Sequence, residues 1–307
     1  MDAGAAEGRS LRAGVVGLGM IGGGIAISLA RRGRVPVVYD VRPEAAELPG
    51  DPELLGSPAE VAARSDVVLI AVVSAEQARE VITGESGLLA GAQPGSTVVL
   101  LSTVELSIVR ELAEVCAASG VAFLDSGVTP GDKAAENGLV TMVGGDAETV
   151  EKTRPVLADF AKEVVHCGPL GAGMATKLAR NIVTYGCWRA VAEAAGLADA
   201  AGVPAETLMQ VITTADPNGS TLLQLLRMQR LDEAGAKALL SSVSKTDTEL
   251  DGPAAQAAAA EVVRGIFPLM DKDLDAAQRL GSALELDLPL VDVTRSQAKA
   301  TLGAEEK

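Results

Sequence analysis

"AGVVGLGMIGGGIAISLARRG" occupies residues 13–33 and carries the clearest fold signal in the chain. A short β-branched run ends at Gly17, three glycines follow in the spacing Gly17-x-Gly19-x-x-Gly22, and an amphipathic helical pattern then begins. The bare spacing is a weak signal. Its context strengthens it: a strand precedes, a helix follows, and Asp40 closes the next apolar run, "VPVVYD" at 35–40. Together these make a dinucleotide-binding arrangement. Gly17 allows the tight turn, Gly19 lets backbone approach a pyrophosphate, and Gly22 lets the helix pack close to the sheet. The helix start offers unpaired N–H groups and the positive end of its dipole to phosphates. Asp40 is placed to accept from ribose hydroxyls and to repel a 2′-phosphate, which favours NAD. Arg42 could meet such a phosphate, so NADP stays open.

Similar apolar runs recur at 66–73, 96–102, 121–125 and 140–145. They lack polar alternation, as strands of a parallel sheet covered on both faces should. Helical patterns separate them at 58–64, 75–82, 105–119 and 147–160, which predicts βαβ units in a doubly wound sheet. Beyond 171 no strand pattern is evident, and helical stretches are expected at 171–201, 204–214, 219–230, 253–264, 268–285 and 292–302. The expected organisation is a flexible tail at 1–10, an α/β Rossmann-like dinucleotide-binding domain at 11–167, and an all-α substrate and oligomerisation domain at 168–307. A long central helix opens the second domain, and the polar stretch 244–253 reads as a loop.

The 307 residues carry a formal charge of −15, which supplies no basic face for nucleic acid or an anionic membrane. Three scattered cysteines, Cys116, Cys167 and Cys187, form neither a disulfide framework nor a zinc spacing, and a reducing cytoplasm is the expected setting. The first residues lack an apolar signal core, and no uncharged stretch reaches membrane-spanning length.

A bound dinucleotide needs a partner that moves a proton as hydride moves. One histidine and three distant cysteines do not make a catalytic zinc site, so no metal is expected. A Tyr-x-x-x-Lys pair is absent: Tyr185 is followed at that spacing by Arg189, and Tyr39 by Pro43. His166 ends an apolar run and reads as structural. Lysine is left. In "GPLGAGMATKLARNIV" (168–183), Lys177 and Asn181 stand four apart on one helical face, just after a glycine hinge. Near the positive helix end, and desolvated beside a nicotinamide, a lysine becomes a useful general acid or base. Asn181 could hold a substrate oxygen without adding charge.

At this point the chain resembles the β-hydroxyacid dehydrogenase family, which includes 3-hydroxyisobutyrate dehydrogenases and tartronate semialdehyde reductases. The resemblance runs from about residue 11 to 300 through four motifs. "GLGMIGGGIA" is similar to the cofactor loop, implying that Met20 and Ile21 join the three glycines in binding. "FLDSGVTPGDKAAENGLVTMVGG" (123–145) is similar to the substrate segment, implying substrate contacts by Ser126, Thr129, Pro130 and Gly131. "GAGMATKLARN" resembles the catalytic helix, implying that Lys177 is the general acid/base and that Asn181 contacts substrate. "GIFPLMDKDLDAA" (265–277) implies that Lys272 lies near cofactor and substrate. The resemblance further implies cofactor contacts by Val72 and Val73 through backbone, and cofactor or substrate contacts by Ser102 and Thr103.

The implied function is NAD(P)-dependent hydride transfer between nicotinamide and a small 3-hydroxy acid, in an interdomain cleft of a homodimer or homotetramer. The family's usual Ser-Gly-Gly is Thr129-Pro130-Gly131 here, and Pro130 has no N–H to donate to a substrate carboxylate. Two alternatives are an imine reductase on the same fold and a non-catalytic dinucleotide-binding module. Imine reductases usually lack the lysine and prefer NADP, so Lys177 and Asp40 weigh against the first; Lys177 weighs against the second. Trp188, two turns past Asn181, is expected in the core.

Overall fold

The computed structural model describes residues 11–229, 232–244 and 252–304. The expected tail at 1–10 and most of the expected loop at 244–253 lie outside them. The chain forms two compact units, Met1–Val183 and Thr184–Lys307.

The first unit is built on eight strands: β1 (Ala13–Val16), β2 (Val37–Tyr39), β3 (Glu53–Leu54), β4 (Val67–Ile70), β5 (Thr97–Leu100), β6 (Ala122–Thr129), β7 (Leu139–Gly144) and β8 (Ala161–Gly168). They lie in the order β3-β2-β1-β4-β5-β6-β7-β8. That order puts the dinucleotide loop after β1, beside the switch point between β1 and β4, where ligands bind in open α/β sheets. Helices α1 (Met20–Arg31), α2 (Pro58–Ala63), α3 (Ala75–Thr83), α4 (Leu88–Gly91), α5 (Leu106–Ala118) and α6 (Ala147–Leu157) connect the strands. The apolar strand runs are buried on both faces. Val15, Leu69, Val99 and Leu124 pack with Ile25, Leu29 and Phe160. Val16, Val68, Ile70 and Val98 pack on the other side with Leu112 and Cys116. Burial pushes the Cys116 thiol up to about 12, so it stays a neutral core residue.

Two features depart from the sequence reading. The sheet is not wholly parallel, because β6 and β7 pair antiparallel. Only residues 130–138 join them, around a 3-10 turn at Gly131–Glu136, whereas a parallel crossover needs about a dozen or more. Strand β3 has no counterpart in the sequence reading, and of β8 only the apolar run ending at His166 is read there. β3 has two residues, both exposed, and β8 carries Lys162, Glu163 and His166 among its apolar positions.

Helix α7 (Ala172–Ala200) follows β8 and runs across the division between the two units. The second unit then comprises α8 (Ala205–Ala215), α9 (Gln224–Gln229), α10 (Glu233–Ser244), α11 (Gly252–Arg264), α12 (Phe267–Ala283), α13 (Pro289–Ser296) and α14 (Ala298–Leu302), with no strand among the described residues. Helix α10, unread in the sequence, packs on α11 through Ala236, Ala255 and Ala259. Glu193 of α7 is buried and accepts from the N–H groups of Leu290 and Val291, at 2.7 and 3.1 Å, closing the start of α13. Trp188 is not in the core: it is 66% exposed and meets Tyr185 edge-on at 5.2 Å. Among the described residues no helix is long and apolar enough to cross a membrane, and no His, Cys, Asp and Glu cluster could hold a metal.

Candidate active site

Gly17 turns the chain out of β1 with φ +87°, and its N–H donates to the Tyr39 carbonyl at 2.9 Å. A Cβ there would lie 2.5 Å from the Ala71 carbonyl oxygen, and one on Gly22 would lie 1.8 Å from the Gly17 carbonyl oxygen. Both glycines are therefore required for packing. At Gly19, by contrast, a Cβ would meet nothing within 4 Å. That open side faces the start of α1, whose Gly19 cap supplies no side-chain acceptor to the first-turn N–H groups. The loop is thus a cradle for an anionic group, and a pyrophosphate fits it. Met20 and Ile21 form this first turn, Met20 exposed and Ile21 half-buried.

A cavity of about 340 Å³ opens beside the loop, lined by Gly17, Gly19, Asp40, Arg42, Val72 and Val73 among others. Asp40 Oδ2 accepts from the Leu18 N–H at 2.6 Å, and Oδ1 from the Arg42 N–H at 2.9 Å. The Arg42 guanidinium adds Nε to Oδ1 at 3.0 Å and Nη2 to Oδ2 at 3.2 Å. Burial pushes the Asp40 carboxyl up, but the bonds from Arg42 and Leu18 outweigh it and hold the group below its ordinary value. Val72 and Val73 line the cavity with their backbone donors already engaged. The Val72 N–H donates to Ser102 Oγ at 2.9 Å, that hydroxyl donates to the Val72 carbonyl at 2.7 Å, and the Val73 N–H donates to Gln77 Oε1 at 2.9 Å. Ser102 thereby ties the end of β4 to the end of β5.

A second cavity, about 220 Å³, is lined by Ile21, Ser102, Thr103, Val128, Gly131 and Lys177, with Ala71, Val72 and Leu101. The cofactor loop, the Ser-Thr segment, the substrate segment and the lysine, read separately in the sequence, thus meet around one space. Lys177 stands in the second turn of α7, half-buried, with Nζ donating to the Val128 carbonyl at 2.8 Å. Burial, and then the nearby Arg180 cation, hold its ammonium below the ordinary lysine value. Asn181 lies one turn further along α7, and its Oδ1 accepts a long 3.4 Å bond from Arg180.

Other expected residues are placed differently. Thr129 ends β6, paired with Val140, and Pro130 is exposed after a cis Thr129–Pro130 peptide. Ser126 is fully buried, and its hydroxyl has no partner. Strand alternation turns it to the face of β6 opposite Gly127, which contacts Lys177. Ser126 therefore does not join the cavity that holds the lysine. Lys272 belongs to the second unit, exposed on α12 and 3.1 Å from Asp273. His166 Nε2 lies 3.0 and 2.9 Å from the carbonyls of Gly145 and Gly168, a structural position.

Two residues of the site were missed in the sequence. A Cβ on Gly127 would lie 2.4 Å from Lys177 Cβ, so only glycine lets the lysine stem lie against β6. Asp125, fully buried, accepts from the N–H groups of Gly171 and Met174 at 2.7 and 2.6 Å, capping α7. The available signal was an acid inside the apolar run "FLDSGV", since a buried charge demands a partner.

Residues 12–168 match the NAD binding domain of 6-phosphogluconate dehydrogenase. The chain is 32% identical over 295 residues to an uncharacterized oxidoreductase of Mycobacterium tuberculosis, covering 95% of this chain and 93% of that one. It is 33% identical over 208 residues to the 2-(hydroxymethyl)glutarate dehydrogenase of Eubacterium barkeri, covering 66% of this chain and 69% of that one. The structure of the Mycobacterium tuberculosis 3-hydroxyisobutyrate dehydrogenase with L-serine superposes with a TM-score of 0.62 at 27% identity, over 95% of this chain and 94% of that one. An imine reductase from Myxococcus stipitatus superposes with a TM-score of 0.74 at 17% identity, over 96% and 95%, a likeness of fold alone. With a nicotinamide dinucleotide domain spanning residues 12–168 and relatives of this kind, the chain belongs to the β-hydroxyacid dehydrogenase family, as an oxidoreductase acting on CH–OH groups.

Proposed function

We propose that this chain oxidises a small 3-hydroxy acid, or reduces the matching carbonyl compound, with NAD as cofactor and Lys177 as general acid/base. The observation that carries the reading is the half-buried Lys177 amine, which shares a cavity with Ser102, Thr103 and Gly131 beside the cofactor loop. The nicotinamide, when bound, accepts or supplies the hydride. The neutral Lys177 amine takes the hydroxyl proton in oxidation, and its ammonium returns that proton in reduction. Its lowered pKa raises the neutral fraction near physiological pH, which serves the oxidative direction. Asn181 orients the reacting oxygen. The Thr129 hydroxyl and the Gly131 N–H hold the acid group, and Lys272 adds positive charge. Pro130 offers no N–H, so one charge-assisted hydrogen bond of about 1.5–3 kcal/mol is absent from this acid-binding segment. The bound acid accordingly depends more on Thr129 and Gly131.

Asp40 supports NAD over NADP, because a carboxylate at that place repels a 2′-phosphate. The second unit leaves Trp188, Val191, Val211 and Ile212 at least half exposed, which supports assembly as a homodimer or homotetramer.

The test is steady-state reduction of NAD⁺ and NADP⁺ with a panel of 3-hydroxy acids, 3-hydroxyisobutyrate and 2-(hydroxymethyl)glutarate included, for wild type and Lys177→Ala. The expected result is turnover with NAD⁺ and a fall in kcat of about 10²–10⁴-fold in the variant, with NADH binding retained. Wild-type turnover that survives Lys177→Ala would remove the lysine from the chemistry.

A further inference from the structure

Asp125 is a buried charge that the proposed reaction leaves unused. Among the described residues no cation pairs with it. Its two oxygens instead accept from N–H groups at the start of α7, from Gly171 just before the helix at 2.7 Å and from Met174 in its first turn at 2.6 Å. The positive end of that helix is its countercharge. The approach is tight, since a Cβ on Gly144 would lie 2.4 Å from Asp125 Oδ1 and 2.6 Å from the Gly173 nitrogen. Two residues further along the same face of β6, Gly127 lies under the Lys177 stem. The next carbonyl, that of Val128, accepts from Lys177 Nζ. One strand therefore holds the start of the helix, the stem of the lysine and its head group.

We propose that Asp125 is the positioning residue of Lys177: it sets the axial position of α7 on β6, and so delivers the amine to its cavity. The proposal rests on the lysine reading above. A carboxylate bridging two N–H groups at one helix end resists both sliding and rotation of that helix. Lys177 comes one turn after Met174, so movement at the cap is passed to it with little damping. The general structural alternative is that Asp125 only stabilises the first unit.

A double-mutant cycle separates the two. Asp125→Asn keeps the shape but sets an NH₂ against at least one N–H. In the otherwise wild-type enzyme, kcat is expected to fall about 10- to 100-fold, as for a reacting group displaced by about an ångström, with the NADH dissociation constant little changed. In the Lys177→Ala background, Asp125→Asn is expected to cost nothing further, either in the residual rate or in the rate restored by free methylamine, which needs no helix to place it. An equal loss in both backgrounds overturns the proposal, as does a normal kcat in Asp125→Asn. The lysine reading itself fails separately, by full activity of Lys177→Ala alone. Should Asp125→Asn not fold, Asp125→Ser, whose hydroxyl can still accept from one N–H, goes through the same cycle. If neither folds while Lys177→Ala does, Asp125 serves stability and the proposal falls.

Discussion

Gly127→Ala is the sharpest single perturbation of this site. The added Cβ would stand 2.4 Å from Lys177 Cβ and 2.9 Å from its Cγ, where ordinary contact begins at 3.4 Å. The stem must therefore retreat by 3.4 − 2.4 = 1.0 Å, unless β6 moves instead. Strand β6 is hydrogen-bonded between β5 and β7 and buried from Phe123 to Val128, so the lysine is the part that yields. A misplacement of about 1 Å at a catalytic group costs roughly 10²-fold in rate. The overpacking itself costs about 1–3 kcal/mol of stability. Gly127 does not line the cavity beside Asp40, so NADH binding should persist. The assay is kcat with the best 3-hydroxy acid, NADH titration by fluorescence, and thermal unfolding. A variant with unchanged kcat and unchanged Tm would refute the contact. One with unchanged kcat and lowered Tm would refute the claim that the path of the lysine stem matters to the chemistry.

Three further outcomes follow from the geometry. Arg42→Ala should leave NADH binding unchanged or tighter, because it frees the buried Asp40 carboxylate of its pair with the exposed Arg42 guanidinium. NADPH binding should weaken in the same titrations, since the cation nearest a 2′-phosphate is gone, and a loss of NADH affinity would count against the assignment of Asp40 to the ribose. Burial and Arg180 hold the Lys177 ammonium down, so Arg180→Gln should raise its pKa and move the acidic limb of the oxidation kcat/KM profile to higher pH; a shift to lower pH would show that the limb belongs to another group. Trp188→Glu sets a charge in the exposed Tyr185–Trp188 ring pair; on the proposed assembly it should lower the mass seen by light scattering without lowering NADH affinity, whereas an unchanged mass would count against an assembly contact at this surface.

Much of the fold could be read because it is written in local pattern. The run at 13–16, the glycines at 17, 19 and 22, and the apolar strands through Leu100 each combine a periodicity with turn chemistry inside one short window. The shared helical face of Lys177 and Asn181 was legible for the same reason, since helical spacing alone sets it. Strand β3 was not, and β8 only in part, because pairing at the sheet margin needs little apolar surface. Ser126 shows the limit of a motif: it sits in the right segment, but the pleat turns it to the other face of β6. Local pattern was therefore enough for the α/β unit, the dinucleotide loop, the acidic residue after β2 and the helix that carries the lysine. Contacts made in the folded chain are what bring β7 antiparallel to β6, close Arg42 around Asp40, seat the lysine stem on Gly127 and set Asp125 at the helix start. The Asp125 bonds reach across 46 and 49 residues, and no local period encodes which groups a folded chain brings into contact at that distance.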